Sequence, residues 1–440
     1  MNENQTMDLD ALRRRLEGRE GRTYWSSLDE VANTPEFERW AAAEFPSAWQ
    51  DAQGSDVKRR DFLKLMGASM GLAGLSSACV RQPEEVIVPY VNQPEELVPG
   101  EPIFYASAFE QMGYGVGVLV ETHMYRPTHL KGNEDHPYSR GSTDVPTQSS
   151  VLDVWDPDRT RAVQERGKTA GWAQFKDAIR QTMIRLRAKD GAGLRILSEP
   201  TSSTLLASQL DALLEAHPKA KYHQYAPWSR WNMYAGAKKA FGRELEVTYD
   251  LSEANVVLAI DADFMGSMPG GIRHQHDFMR RRNQFDATDG WGRLYVAEAM
   301  PTTAGSAADH RVRVAPSEAG AFLAEVAREL GMSVSGGESG VAKDVVRQLA
   351  ADLRRGGGRS VVIVGDGQPA EVHALAHAIN GELGSIGDIV RLTEPVLHRP
   401  VDPVASLREL VEDLEAGEVE MLVILGGNPV FDAPADLDFL

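Results

Sequence analysis

The chain holds one cysteine, Cys79, in 440 residues. A lone thiol closes no intramolecular disulfide, and an iron–sulfur cluster, which takes several thiolates, cannot be held by these residues. Cations are scarce too: 46 Lys and Arg stand against 64 Asp and Glu, a net charge of −18. That balance excludes the basic face of a nucleic-acid binder, so no nucleic-acid partner is expected. A long apolar run is also missing. The uncharged stretch Leu65–Val80 has sixteen residues, many of them Gly, Ala or Ser, against the roughly 20 apolar residues of a spanning helix. No hydrolase nucleophile pattern stands out, and "GVG" at 115–117 lacks the third glycine of a dinucleotide fingerprint. Carboxylates abound, yet their spacing singles out no acid–base pair.

Apolar residues make up 42% and charged residues 25%, which suits globular units, two or three at this length. Lys58, Arg59 and Arg60 precede the uncharged stretch, which closes on Ser76, Ser77 and Ala78, giving the three parts of an export signal. The pair Arg59 and Arg60, followed by Phe62, Leu63 and Lys64, resembles the twin-arginine export motif, read by the twin-arginine translocation machinery as an address. Leu75-Ser76-Ser77-Ala78-Cys79 resembles a bacterial lipobox, with Leu75 one place further from the cysteine than that pattern prefers. Lipidation of Cys79 would tether the protein to the periplasmic face of the inner membrane; the alternative is an unmodified buried thiol.

Four segments follow from composition. Residues 1–57 read as a cytoplasmic leader of short helices, with Ser27 as a cap; 58–80 as the signal; 81–104, with Pro83, Pro89, Pro94, Pro99 and Pro102, as an extended tether; and 105–440 as an α/β domain. In the last, "GVGVLVETHMY" alternates like a strand and leads into the polar, turn-rich "KGNEDHPYSRGSTD". Helices are expected at 172–188, 205–216, near Met233, at 274–282, over "AEVHALAHAIN" and at 406–414. Strands are expected at 194–197 and 222–225 and in "NVVLAID", "RLYVAE", "SVVIVGDG" and "EMLVILGGNP". Alternation of short apolar strands with amphipathic helices predicts parallel α/β units with both sheet faces covered. The final strand and loop run to Leu440 with no closing helix predicted, so the chain is expected to be the N-terminal portion of a longer polypeptide.

Glycine loops end two strands: Gly365 and Gly367 in "IVGDGQP", Gly426 and Gly427 with Asn428 in "ILGGNP". Strand carboxyl ends are where open α/β sheets take ligands, and glycine admits a phosphate close to backbone amides; ordinary turns use the same residues. His373 and His377 stand four apart on a predicted helix, as zinc-binding pairs do, but no glutamate follows the first, which favours packed structural histidines. His274 and His276, two apart, fall on different faces.

Taken together, "KGNEDHPYSRGSTDVPTQSSVLDVWDPDRTR", "GRLYVAEAMPTTAGSAADHRVRVAPSE", "AEVHALAHAIN" and "ILGGNPVFDAPADLDF" resemble the molybdopterin oxidoreductase family over roughly residues 100 to 440. With the displaced twin-arginine motif and the upstream "YWSSLDEVANTPEF", the chain resembles more narrowly the molybdopterin-like iron–sulfur subunits of alternative complex III, a bacterial quinol-oxidising respiratory complex. The resemblance implies a molybdopterin oxidoreductase-like fold of several Rossmann-like parallel α/β units behind the leader and signal. Family pterin loops would map onto Gly132 and Asn133, Gly365 and Gly367, and Gly426, Gly427 and Asn428, here as vestiges. No cysteine follows Cys79, so thiolate ligation of molybdenum is excluded; Ser139, Ser142 and Asp144 are conceivable oxygen ligands, none singled out.

The resemblance therefore implies a structural and electron-transfer subunit with no cofactor bound by residues 1–440, no metal site and no catalytic residue of its own. Its partners would be an integral-membrane quinol-binding subunit and multi-haem cytochrome c subunits, with iron–sulfur clusters in a ferredoxin-like region beyond Leu440. The alternative is a catalytic subunit carrying molybdopterin guanine dinucleotide with molybdenum or tungsten, acting on a small oxyanion or sulfur compound. A third reading is a lipoprotein that binds a soluble nucleotide at its glycine loops.

Overall fold

A computed structural model describes residues 94–98, 100–283 and 292–439, which lie within one compact unit, Gln93–Leu440. The leader with Ser27, the signal residues Arg59, Arg60, Phe62 and Leu63, Cys79 and most of the proposed tether lie outside the described residues.

The described chain begins with an antiparallel meander, β1 (Ile103–Gln111), β2 (Tyr114–His123) and β3 (Arg126–Gly132). β1 starts inside the segment read as a tether, because Ile103 and Phe104 register against Thr122 and Glu121 of β2. Short helices α1 (Val145–Ser149) and α2 (Val151–Trp155) and the hairpin β4 (Gln164–Glu165) and β5 (Lys168–Thr169) lead to α3 (Trp172–Arg187). Strand and helix then alternate: β6 (Leu194–Ser198), α4 (Thr204–Ala216), β7 (Lys221–Gln224), α5 (Trp231–Phe241), β8 (Glu246–Tyr249), β9 (Val256–Ile260) and α6 (Gly271–Arg282). After these come β10 (Arg293–Glu298), α7 (Thr303–Ser306), β11 (His310–Arg313), α8 (Ala319–Glu329), α9 (Lys343–Gly356), β12 (Ser360–Val364) and α10 (Ala370–Leu383). The series closes with β13 (Val390–Thr393), α11 (Pro403–Glu415), β14 (Met421–Leu425) and the single turn α12 (Pro429–Asp432), so a short helix does follow the last strand.

The central sheet is parallel, in the order β11-β10-β9-β12. Successive residues of a strand point to opposite faces, and both faces here are covered. Leu258, Ile260, Tyr295, Val362 and Val364 pack under α8, α9 and α10; Val257, Ala259, Leu294, Val296 and Ile363 pack on the other side with Phe278 of α6 and Tyr234 of α5. Each fully buried aliphatic side chain contributes about 1.5–3 kcal/mol, which explains why these strands read as unbroken apolar runs.

A second parallel sheet, β14-β6-β7, wraps the first in sequence: β14 returns to pair with β6, Met421 opposite Leu194, after the whole central sheet has been laid down. The alternation in the sequence predicts several parallel α/β units without their strand order; nesting arises because parallel partners need not be chain neighbours. Three further departures are antiparallel: the meander itself, the β4-β5 hairpin and the ribbon β8-β13. Among the described residues no helix is long and apolar enough to cross a membrane.

Candidate functional site

The carboxyl ends of the central strands carry acids, and each acid is answered from within the protein. Beyond β9, Asp261 takes a left-handed φ of 49° and its Oδ2 accepts a hydrogen bond from Gln368 Nε2 at 2.9 Å. Asp263 Oδ1 accepts from the Ala304 amide at 2.9 Å, which starts α7. At the end of β10, the buried Glu298 accepts from Arg311 Nε at 2.6 Å and from Thr302 Oγ1 at 2.7 Å. Beyond β12, Asp366 accepts from Arg230 Nε at 3.3 Å.

Arg230 is itself buried and donates through Nη1 to Glu246 and to the Tyr114 hydroxyl, the latter at 2.8 Å. Glu246 also takes the hydroxyls of Tyr114, at 3.1 Å, and Tyr234. Burial, with the nearby Glu246 charge adding to it, pushes the Tyr114 phenol up to about 12. The network is closed: guanidinium, carboxylate and two phenols satisfy one another out of water, the condition under which buried charge is tolerated.

Beside this network lies a cavity of about 340 Å³ between the turn-rich loop that follows β3 and the loop joining β9 to α6. Tyr138, Ser142 and Asp144 line it from one side; Met265, Ser267 and Gln275 from the other. Asp144 is extended and caps α1, accepting from the Thr147 amide at 2.9 Å. The Tyr138 hydroxyl accepts from the Gly270 amide, and burial raises its phenol above the ordinary range. No lysine or arginine is among the lining residues. Ser139, by contrast, is fully buried and spent on its own loop: its Oγ donates to the Asn133 carbonyl at 2.9 Å and accepts from the Asn133 amide at 3.3 Å. Ser142 and Asp144 thus reach the cavity and Ser139 does not.

The glycines picked out in the sequence are dispersed. Gly132 is the last residue of β3, and a Cβ there would run into the backbone of Gly141 and Ser142. With Asn133 it borders an open cleft that shares Ser142, Thr143 and Gln148 with the cavity. Gly365, at the end of β12, presses against the Asp261 backbone and donates its amide to the Ile260 carbonyl at 2.9 Å. Gly367 has open space where a Cβ would stand. Gly426 and Gly427, with φ of 72° and 70°, and Asn428 turn the chain from β14 into α12, on the other sheet, with Glu199 near Gly427. Burial raises the Glu199 carboxyl, with Asp432 and Glu110 adding to the effect.

His373 and His377 are buried on α10, where Gly236 of α5 admits the His373 Cβ and the Phe241 ring lies 5.1 Å from that of His377. Among the described residues no group of three or more His, Cys, Asp or Glu could hold a metal ion. His274 is buried and His276 is exposed, two faces of one helix. Sequence reasoning missed Tyr138, Arg230 and Glu246; the only advance signal was that the polar stretch "KGNEDHPYSRGSTD" contains Tyr138.

The parallel sheets and their covering helices fit an α/β molybdopterin-like fold. No protein-family model matches the sequence. The chain is similar to the menaquinone reductase, molybdopterin-binding-like subunit of Nitratidesulfovibrio vulgaris, 25% identical over 244 residues. That stretch is 54% of this chain and 34% of the relative, so the match spans about a third of the relative's length.

Proposed function

We propose that this chain is a molybdopterin-like structural subunit of a quinone-linked respiratory oxidoreductase, with electron transfer carried by its assembly and with no pterin cofactor in these residues. The observation that carries this reading is the set of internally bonded carboxylates, Asp261, Asp263, Glu298 and Asp366, at the strand ends. A pterin dinucleotide brings a pyrophosphate, which needs amides and cations there. The residues present do not fit it: it would meet acids, and the nearest guanidiniums, Arg230 and Arg311, are already paired. A sequence with no cysteine after Cys79 also has no thiolate for the metal. The quinone link rests on the similarity to the menaquinone reductase subunit.

The finer reading is a subunit of alternative complex III, exported by the twin-arginine route through Arg59 and Arg60, lipidated at Cys79 and held at the periplasmic face of the inner membrane. An integral-membrane quinol-binding subunit and multi-haem cytochrome c subunits would be its partners. Iron–sulfur chemistry falls outside residues 1–440, since one cysteine holds no cluster. Elemental mass spectrometry and pterin fluorescence on the protein purified from its native membrane test the reading. Iron without molybdenum, tungsten or pterin is expected. Stoichiometric molybdenum or tungsten would replace it with the catalytic alternative.

A further inference from the structure

The net charge of −18 conceals one segment of the opposite sign: residues 159–189 hold nine Lys and Arg against two acids, Glu165 and Asp177. All nine cations are exposed. Only Arg180, with Asp177 at 3.0 Å, and Lys189, with Glu420, have a carboxylate partner among the described residues. In α3 the apolar residues Trp172, Phe175, Ile179, Met183 and Leu186 recur at spacings of three and four and so share one stripe. The stripe is only half used. Its far end packs on the outer sheet, where Leu186 is buried with Leu194 and Ile196 and Met183 joins them. Its near end is bare: Trp172 is 67% exposed and Phe175 44%, their rings edge to face with centroids 5.6 Å apart. Lys176, Arg180 and Arg187 follow one another along one flank of the stripe. Gln174 Nε2 donates to Glu165 Oε2 at 3.4 Å, which sets the β4-β5 hairpin, with Arg166 and Lys168, beside the start of the helix.

Bare aromatic rings ringed by cations without counter-charges complement a surface that offers phosphates above an apolar layer. At a bilayer interface an indole sits at headgroup level, and each Lys or Arg near an anionic leaflet adds to the attraction. An acidic polypeptide would answer the cations but must also supply a pocket for the rings; anionic lipid answers both with one surface. With sixteen residues α3 is too short to span a bilayer, and its basic, amphipathic pattern is that of a helix lying on one. We propose that the N-terminal half of α3 and the β4-β5 hairpin form a docking surface for an anionic phospholipid bilayer. Trp172 and Phe175 enter the headgroup layer, while Arg166, Lys168, Lys176 and Arg180 meet lipid phosphates. The contact is independent of Cys79, weak and reversed by salt, so it orients the protein on the bilayer rather than retaining it there.

The test uses the full chain without lipid, carrying Cys79→Ser and Ala173→Cys, the new thiol labelled with an environment-sensitive dye. Vesicles of equal parts phosphatidylglycerol and phosphatidylcholine are compared with vesicles of phosphatidylcholine alone. Co-sedimentation with the anionic vesicles and a blue shift of the dye are expected, both lost on neutral vesicles and above about 0.5 M salt. Lys176→Glu with Arg180→Glu should weaken binding at least roughly ten-fold. Trp172→Ser with Phe175→Ser should weaken it several-fold and abolish the blue shift, and neither pair should move the melting temperature, since all four side chains are exposed. Equal binding to neutral vesicles, or indifference to both pairs of substitutions, would overturn the assignment. Sedimentation without a blue shift would do the same by placing the contact elsewhere on the chain, and tighter binding of polyglutamate than of vesicles would reassign the surface to an acidic polypeptide.

Discussion

Arg195, on β6, donates from Nε to Asp413 Oδ2 on α11 at 2.6 Å, an ion pair between residues 218 positions apart. Lys221 of β7 reaches the same carboxylate at 2.9 Å, so one acid ties two strands of the outer sheet to the helix that precedes its third. Removing a partner from a buried pair leaves the other charge desolvated. Asp413→Asn is therefore expected to cost about 3–5 kcal/mol in urea denaturation, whereas the paired change Arg195→Met with Asp413→Leu should cost far less.

Buried histidines contribute to the acid side of stability. Burial holds His274 down to about 3, and His373 and His377 to about 4. Their folded values lie below the unfolded 6.5, so the unfolded chain binds more protons and stability falls as pH drops below that value. The loss continues until pH passes the folded values, each group steepening it by up to ~1.4 kcal/mol per pH unit. Urea midpoints between about pH 7 and about pH 5 should show this slope, and His377→Phe should flatten it.

Glycines that look alike in sequence should respond differently. Gly132→Ala drives a Cβ into the backbone of Gly141 and Ser142 and is expected to cost about 1–3 kcal/mol. Gly367→Ala meets open space and should be neutral or stabilise by about 0.4–1 kcal/mol. Thermal denaturation of the two variants separates them. Equal losses would mean that Gly367, too, is held by something its surroundings do not display.

If the export and anchoring reading holds, Cys79→Ser should shift the protein from the membrane to the soluble periplasmic fraction. Arg59→Lys combined with Arg60→Lys should retain it in the cytoplasm. Fractionation followed by immunodetection reads both. Unchanged membrane association of the serine variant would remove the lipid from the account.

The central strands were legible because burial on both faces demands continuous apolar residues, as in Val256–Ile260 and Ser360–Val364. β8 and β13 were not: "EVTY" and "VRLT" are four residues each, mix polar with apolar side chains and gain strand character only by pairing with one another. Helix α9 was missed although Val346, Leu349, Ala350 and Leu353 share one buried face. The candidate site was less legible still. Tyr138 comes from the loop after β3, whereas Met268 and His274 come from the segment after β9, a meeting that no local spacing records. His274 and His276 fall on different faces of α6, as their spacing indicates, the first buried and the second exposed.

The nesting of the sheets also sets an order of assembly. During synthesis β6 and β7 emerge early, but the strand that covers the open flank of β6 arrives only at Met421, after every strand of the inner sheet. The inner sheet can close on itself while β6 presents unpaired amides and carbonyls to the cell, the exposure that invites mispairing. A ribosome-bound chain stopped short of β14 should therefore hold a folded centre and an unprotected flank, and it is during that interval that a chaperone has something to bind.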